Sequence, residues 1–520
     1  MRVLLVQPQT PVTYWGFQHA VKIIGKSAPH PPLGLITLAA LLPKSWELRV
    51  IDLNVVARLT DEDLRGVDAV LVTGMLVHIR NMRELLARTR KLGVRTVLGG
   101  PAVTTSPESF ADADHIFIGE AEGRLDQLVR ALETGDAPRV LSPPEGERPG
   151  LHDAPPPRFD LLDIPRYTSM SIQYSRGCPF RCEFCDIIEI FGRVPRTKTP
   201  EQVMAEFDAL LATGFRGTVF VVDDNFIGNR KLVAKLLPRI EEWQRAHGWP
   251  FELYTEASVD LATLPQLVEG MAAAGFSAVF LGIETPEPAS LRETQKLQNL
   301  KIDPAEAVHR LTKAGLEVYA GFIVGFDADG PGIFEAQKEF ISGLPIPAAM
   351  IGILTALPST QLWRRLEREG RLRGASSGDQ FDRPNFETAM EETALLRGYR
   401  ELLTGLYTAD AYYDRCEKVI EQIGVAHPMP YRAGGISALL KSAWRLGVLS
   451  PRRRHFWRLL RRSLRRPHTF ARAVAMAVQG EHMIRYTEED VAPRLDAVLA
   501  KLQREPPARR PPVLSVLGAS

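Results

Sequence analysis

The sequence predicts an α/β chain in three parts: a doubly wound parallel sheet, a partial (β/α)6 barrel, and a mainly helical C-terminal region. Three observations predict it. Short apolar runs alternate with helical segments through residues 1–140. The same alternation recurs six times between 166 and 385. From 386 to 505 helical periodicity takes over. Strands that alternate with helices imply parallel pairing with helical crossovers. At 520 residues the chain is also too long for one ordinary core.

In the first part, strands are expected at Val3–Val6, Leu48–Ile51, Ala69–Thr73, Thr96–Leu98 and His115–Ile118, with helices around Leu33–Leu42 and Asn81–Lys91. Such sheets bind ligands outside the carboxyl ends of their strands. Gln7–His19, Gly74–His78 and Gly99–Ser106 are therefore the segments to watch. Residues 141–165, rich in proline and charge, read as a linker along a surface. In the second part, strands are expected at Ser171–Ser175, Thr218–Val222, Phe251–Thr255, Ala278–Ile283, Glu317–Ile323 and Met350–Leu354. Helices such as Pro200–Ala212, Lys231–Ala246 and Pro304–Ala314 separate them. A barrel of this kind keeps its chemistry at the strand C-termini. Helical segments of the third part include Ala394–Tyr407 and His455–Leu464, and residues 506–520 read as a disordered tail.

Composition excludes more than it selects. A net charge of +2 names no partner class. Met1–Val6 carries one charge and a short apolar run before polar Gln7-Pro8-Gln9, which reads as a first strand and not an exported leader. No apolar stretch approaches the ~20 residues that span a bilayer. Only four cysteines occur, three of them within eight residues. That usage predicts a reducing cytoplasm and metal-binding thiolates, not a disulfide scaffold.

Those three are Cys178, Cys182 and Cys185, in the segment Tyr174-Ser-Arg-Gly-Cys-Pro-Phe-Arg-Cys-Glu-Phe-Cys. The spacing C-x3-C-x2-C lets three thiols converge from one loop after the first strand of the second part. Three thiolates hold three irons of a 4Fe–4S cluster and leave the fourth iron open to a small molecule. Structural zinc would need a fourth ligand, usually in paired C-x2-C elements. Cys416 is remote in a helical region, and His152 lies in the linker. Gly177 and Pro179 shape the loop.

This motif, at this place in a six-unit βα region, resembles the radical S-adenosylmethionine (SAM) superfamily. The resemblance implies that the open iron chelates SAM and that one electron from the cluster splits its sulfur–carbon bond. A 5′-deoxyadenosyl radical then takes a hydrogen atom from substrate. It implies a reducing partner such as flavodoxin or ferredoxin. The protein's share is placement and a dry pocket. Further segments match at later strand ends. Asp223, Asp224 and Asn225 stand where the family holds the SAM amino group; an Asx turn or helix cap is the alternative. Glu256 and Ser258 follow the third strand. Gly282-Ile283-Glu284-Thr285 is similar to the segment that holds the ribose and methionine ends, and Glu284 can accept hydrogen bonds there. Gly321 and Gly325 resemble the segment beside the adenine, where glycine lets backbone approach a flat ring. Phe184 reads either as a ring near the adenine or as a core residue under the loop.

The domain order resembles the cobalamin-binding class of that superfamily, with a Rossmann-like, cobalamin-binding type of sheet in front. Pro31-Pro32-Leu33-Gly34-Leu35 and Gly119-Glu120-Ala121-Glu122 are similar to segments of that class. Gly99, Gly100 and Thr104 fall in a loop like the one that passes the cobalamin nucleotide tail. The D-x-H-x-x-G loop that supplies a lower histidine ligand is replaced by Gln7-Pro8-Gln9-Thr10-Pro11. Cobalt without that histidine, or a sheet that has lost the cofactor, are the two readings; His19 and His78 are substitute ligands or ordinary histidines. Tyr14-Trp15-Gly16-Phe17 either lines a shared cavity or fills a domain interface.

Tyr412–Cys416 and Gly480-Glu481-His482 resemble a helical domain of unknown function that trails the barrel in this class. Residues 452–466 interleave eight arginines with Phe456, Trp457, Leu459, Leu460 and Leu464. The pattern reads as a helix packed on the body, as a peripheral membrane contact, or as an RNA-phosphate contact.

The resemblance thus implies methyl transfer to an unactivated carbon of a small-molecule or lipid-like substrate. Rearrangement, cyclisation or oxidation on the same scaffold is the close alternative. A non-enzymatic iron–sulfur carrier or sensor is the distant one. An RNA methylthiotransferase, and nucleic acid as a partner generally, is disfavoured because no appended β-barrel or second cysteine triad is visible. Anaerobic reconstitution should load about four irons per chain. Cys178→Ala, Cys182→Ala or Cys185→Ala should abolish the cluster absorbance and SAM cleavage, whereas Cys416→Ala should leave both. Loss of the cluster on Cys416→Ala would overturn the three-cysteine assignment.

Overall fold

The computed structural model describes residues 1–504 apart from 136, 145, 377 and 426–432; the expected tail 506–520 lies outside the described residues. The first strands alternate Val3 and Leu5 with Leu4 and Val6, all buried. Successive side chains of a strand point to opposite faces. Leu4, Val6, Val70 and Val72 accordingly pack under Met82 and Leu86, while Val3, Leu5 and Leu71 pack under Leu35, Leu128 and Leu132. Both faces are covered, as an all-parallel sheet requires.

The six strands are β1 (Arg2–Gln7), β2 (Glu47–Asp52), β3 (Ala69–Thr73), β4 (Arg95–Gly99), β5 (His115–Phe117) and β6 (Val140–Leu141), in the order β2-β1-β3-β4-β5-β6. Every pairing is parallel. The order reverses between β1 and β3, so the ligand crevice lies outside their carboxyl ends. β6 was not expected; Val140 and Leu141 pair with Ile116 and Phe117. The rest of the expected linker is pinned. Arg158 N–H donates to the Ile36 carbonyl at 3.0 Å. The Gln202 amide donates to the carbonyls of Leu151 and His152, each at 2.9 Å.

The second sheet contains β7 (Ser169–Ile172), then a two-strand hairpin of β8 (Ser175–Arg176) and β9 (Arg196–Thr197), then β10 (Gly217–Val221), β11 (Phe251–Ala257), β12 (Phe276–Glu284), β13 (Glu317–Val324) and β14 (Ala349–Ile353). Its order is β14-β13-β12-β11-β10-β7, parallel throughout, an open half-barrel of six strands. The hairpin stands apart and clips together the two ends of the cysteine loop.

An open barrel leaves edge strands with unpaired backbone groups. The C-terminal helices answer this at β14. The Tyr399 hydroxyl donates to the Ile351 carbonyl at 2.8 Å. The Tyr407 hydroxyl bonds both the carbonyl and the N–H of Ala349. Arg415, 1% exposed, donates to the carbonyls of Ile346 and Pro347. These residues sit on helices Glu392–Leu406 and Ala409–Gln422 and their connection. Tyr14 of the first loop stacks on Tyr407 and donates or accepts at Thr487 Oγ1, 2.6 Å away. That residue fills the interface, one of the two readings of its segment.

The two sheets meet through a buried ion network. Arg176 donates to Glu120 and Glu122 at 2.8 and 2.7 Å, and Arg196 donates to Glu120 at 2.7 Å. The carboxylates follow β5; the guanidiniums sit on the clip of the cysteine loop. Removing one member of such a network strands the rest, at a cost of roughly 3–5 kcal/mol. Glu120→Ala should therefore lower the thermal midpoint of unfolding substantially, and Glu120→Gln should lower it less. A midpoint unchanged in Glu120→Ala would show that the two sheets are held elsewhere.

Candidate active site at the carboxyl ends of the two sheets

The cysteine loop leaves β8 through Gly177, whose φ is +95°. A Cβ there would meet the Gly192 carbonyl oxygen at 2.8 Å, so glycine is required twice over. Cys178 N–H donates to the same carbonyl at 3.2 Å. Cys182 is buried; Cys178 and Cys185 are half-buried. Burial raises the thiol pKa values of Cys178 and Cys185. Side-chain amides reach two sulfurs: Asn225 Nδ2 lies 3.8 Å from Cys178 Sγ and Gln298 Nε2 lies 3.4 Å from Cys182 Sγ. Among the described residues, no three His, Cys, Asp or Glu side chains group to hold a single ion. A cubane cluster asks for something else, one thiolate on each of three irons, and hydrogen bonds to sulfur are the kind that tune it.

Asp223 and Asp224 hold that loop. Asp223 accepts from Tyr174 N–H at 2.8 Å and Ser175 Oγ at 2.6 Å; Asp224 accepts from Gly177 N–H at 2.9 Å. Asn225 donates to Ser258 Oγ at 3.3 Å, and Ser258 donates to Asp260 at 2.6 Å. Glu256 lies within range of both aspartates. Burial first, then mutual repulsion, raises Glu256 to about 8 and Asp224 to about 7; burial raises Asp223 to about 6. Arg176 favours ionised Asp224 and Lys198 favours ionised Asp223, whereas the charges acting on Glu256 are those of the two aspartates. SAM carries a sulfonium and an ammonium group, the kind of charge such a carboxylate takes.

Glu284 ends β12 at a register shift, with φ +66°. Left-handed backbone in a non-glycine residue is strained and clusters at functional sites. The strain is held from three sides. Lys296 Nζ pairs with its carboxylate, Asn299 Nδ2 donates to the Gly282 and Ile283 carbonyls at 2.9 Å each, and Gln337 Nε2 donates to the Glu284 carbonyl at 3.4 Å. The ion pair lies over Gly282, where a Cβ would meet Glu284 Oε1 at 2.5 Å. Lys296 also stands 5.7 Å over the Phe184 ring, and its ammonium form is favoured by Glu284, Cys182 and Cys185. Phe184 packs with Phe326 and Leu354 beneath the loop. Gly321 leaves room for Phe280, whose Cζ lies 2.9 Å from a Cβ built there. Gly325, φ +97°, opens a turn in which Asp329 accepts from Gly325 and Phe326 N–H.

Facing this, a cavity of about 310 Å³ runs between Leu33–Leu41, the ends of β3, β4 and β5, and the cysteine loop. Gly99, Gly100 and Thr104 line it, together with Gln173, Arg176 and Phe191 from the other half. Gly100 owes its identity first to the chain: φ is +89° and a Cβ would lie 2.1 Å from Thr73 Oγ1. Steric exclusion of a side chain by a ligand tail alone is thus corrected at this position. Thr104 Oγ1 accepts from Gly119 N–H at 3.0 Å. His78 is buried with both nitrogens engaged, Nδ1 by Met75 N–H and Nε2 with Thr10 Oγ1, each at 3.0 Å. Burial lowers it to about 4. His19 packs against His482 of the helical layer. Neither histidine is presented to the crevice as a free ligand.

Family models match three stretches of this chain: a B12 binding domain over residues 26–129, the Radical SAM superfamily over 172–334, and a domain of unknown function over 360–493. An uncharacterized methyltransferase of Synechocystis sp. is 38% identical over 97% of this chain and 96% of that protein. The hopanoid C-2 methylase of Rhodopseudomonas palustris is 35% identical over 94% of each. The chain belongs to the cobalamin-binding radical SAM enzymes. The fold agrees with that of the cobalamin-dependent SAM radical enzyme OxsB, which it matches with a TM-score of 0.60 at 16% identity over 96% of this chain and 83% of that one. Its cofactors are a 4Fe–4S cluster, SAM and cobalamin.

The residues present suit all three: three thiols on one loop, two of them reached by amide donors, a group of buried carboxylates, and a slot along the crevice of the first sheet. Sequence reasoning missed Lys296, Gln298 and Asn299, which follow the Gly282–Thr285 segment on an irregular stretch without spacing or pattern. On the reading that SAM's cationic groups face Glu256, with Asp224 beside it, SAM affinity of the reconstituted enzyme should rise as pH climbs through 7 and 8. Glu256→Gln should flatten the upper part of that rise. Glu284→Ala should weaken SAM roughly ten- to hundred-fold with the cluster intact. Equilibrium dialysis showing unchanged affinity would leave Glu284 as a packing partner of Lys296 alone.

Proposed function

We propose that this radical SAM enzyme methylates an unactivated carbon of a lipid-like substrate. The observation that carries the reading is the lining of the half-barrel's concave face. Phe220 and Tyr254 stack at 4.6 Å in facing register on β10 and β11, and Phe280 follows on β12. Trp15 of the first loop covers Phe280 at 4.6 Å, and His30 covers Phe220 at 5.4 Å. Aromatic side chains combine large apolar surface with rigid shape. Such a belt excludes water and takes a hydrocarbon better than a charged metabolite. The full-length likeness to a hopanoid methylase points the same way.

In this reading Cys178, Cys182 and Cys185 ligate the cluster. Glu284, Glu256, Ser258 and Asn225 face SAM, with Gly282, Gly321 and Gly325 opening the wall. Asp223 and Asp224 position the cysteine loop. Gly99, Gly100 and Thr104 border the cobalamin tail. When bound, the cluster supplies the electron that splits SAM, and cobalamin supplies the carrier for the methyl group. The chain's own residues set Glu256 and Glu284 at the carboxyl ends of β11 and β12 and the aromatic belt beside them, with Phe280 in register with Glu256. A flavodoxin- or ferredoxin-type protein reduces the cluster, and the enzyme works peripherally at a membrane. Domains run 1–140, 166–385 and 386–505 around the pinned linker.

Purified enzyme should retain hydroxocobalamin through desalting with a base-off spectrum. Supplied with a reductant, methyl-deuterated SAM and a hopanoid lipid, it should place the labelled methyl group on carbon, read by mass spectrometry. Phe280→Ala should raise KM for the lipid with SAM affinity unchanged. SAM cleavage without label transfer to any lipid offered would favour rearrangement or oxidation on the same scaffold.

A further inference from the structure

The arginine-rich helix follows the first of its three readings, a helix packed on the body of the protein. Helix Arg453–Ser463 buries Phe456, Leu459 and Leu460 against the body. Arg458 and Arg462 pair with Glu417, Arg462 also with Glu421, and Arg452 with Glu481 and Glu488. Three of the eight arginines of 452–466 are taken up in these pairs.

The stretch just before it is different. Helix Ala433–Ser442 continues without a break into a π-helical turn, Ala443–Leu449. Ile436, Leu440, Trp444 and Val448 stand four residues apart, hence on one face. They are 47, 65, 59 and 49% exposed, and Leu449 beside them is 61% exposed. Contiguous exposed apolar surface of this kind marks an interaction site. The chemistry of the partner follows from charge. Between Glu421 and Glu481 the chain has no Asp or Glu, so every formal side-chain charge there is positive. Arg453 and Arg454, at the end of the stripe, are exposed and have no ion-pair partner among the described residues. An apolar stripe with an interfacial tryptophan, followed along the chain by unpaired arginines, is the pattern of a helix lying in an anionic bilayer surface. No helix among the described residues is long and apolar enough to cross one.

We infer that Ile436–Leu449 is a monotopic docking surface for anionic lipid membranes. Its position gives it a use. Lys441 and Arg445 donate to the carbonyls of Ile24 and Lys22, at 3.3 and 2.8 Å. Those residues join Trp15 to His30, the two that cover the aromatic belt. The stripe therefore sits beside the wall through which a lipid would enter. That use rests on the lipid-like substrate proposed above; the docking itself does not.

The test is cosedimentation of the reconstituted full-length enzyme with phosphatidylglycerol vesicles, against phosphatidylcholine vesicles. The enzyme should pellet with the first and not the second, less so in high salt. Leu440→Ser with Trp444→Ser should bind roughly tenfold more weakly or worse, with melting temperature and SAM cleavage unchanged. Arg453→Gln with Arg454→Gln should lose part of the preference for anionic lipid. Methyl transfer to lipid dispersed in detergent is measured alongside: if it succeeds while vesicles are ignored, the docking surface falls and the methylation reading stands; if vesicles bind but nothing is methylated, the reverse holds. Equal vesicle binding by the Leu440/Trp444 variant overturns the inference. So does a dimer in light scattering that this variant dissociates while vesicles bind neither form, since a second copy would then cover the stripe.

Discussion

Everything in the site depends on how two carboxylates after β5 grip two arginines across the joint between the sheets. Glu120 and Glu122 are nearly inaccessible, and Arg176 and Arg196 are little more exposed. Four charges in a dry interface gain little net stability over a well-packed apolar patch. What they supply is register. Arg176 is the last residue before Gly177, and Arg196 closes the opposite end of the cysteine loop. The network therefore sets where the three thiols stand relative to the crevice of the first sheet. An apolar joint could slide; this one has a single arrangement in which all four charges are satisfied.

The site beyond the joint is built at a cost. Burial holds two thiol pKa values up. Asp224 and Glu256 repel each other at the rim of the same space. Glu284 carries a strained backbone. The chain offsets part of this itself: Arg176 and Lys198 act on Asp224 and Asp223, and Lys296 is poised between Glu284 and the cysteine loop. That distribution explains why the aromatic belt can lie close by without conflict. Charge is confined to the strand ends, and the middle of the concave face is left to Phe220, Tyr254 and Phe280.

Much of this was legible before any coordinates. Parallel strands announce themselves as apolar runs because they are buried on both faces, so both sheets could be read, and C-x3-C-x2-C is a local signal that needs no folding to be seen. What could not be read is non-local or degenerate. Lys296 meets Glu284 only because an irregular segment returns to the strand end. β6 is two residues long, below any periodicity. Glycines were the most ambiguous letters. Gly100 and Gly321 were matched to ligand clearance, yet each first makes room for the chain itself, for Thr73 and for Phe280, and Gly282, matched only as part of a binding segment, makes room for the Glu284–Lys296 pair. A pattern of small residues says that something passes close, not what it is. The arginine stretch was ambiguous for a different reason. Its apolar and basic faces were correctly seen, but helical amphipathicity is the same whether the partner is a bilayer or the protein's own core.

The C-terminal helical region, for which sequence offered no chemistry, has a reason to exist in the incompleteness of the barrel. A closed barrel satisfies its own edges; a half-barrel of six strands does not. At β14 the missing neighbour is replaced by the side chains of Tyr399 and Tyr407, which bond the carbonyls that another strand would have used, while Arg415 bonds the carbonyls of Ile346 and Pro347 just before the strand. Tyr407 and, from the later helix Phe470–Tyr486, Tyr486 pack on Tyr14 and so fix the first loop over the concave face. Arg472 and Gln479 of that same later helix reach Glu317 and Tyr319 on β13. The region is thus the far wall of the active-site chamber, not an appendage. Because that wall is made of helices and not strands, one of its members can also turn an apolar face outward. A closed ring of strands has no spare element with which to do so, and this gives an open barrel a route to a lipid surface without giving up the enclosure of the site.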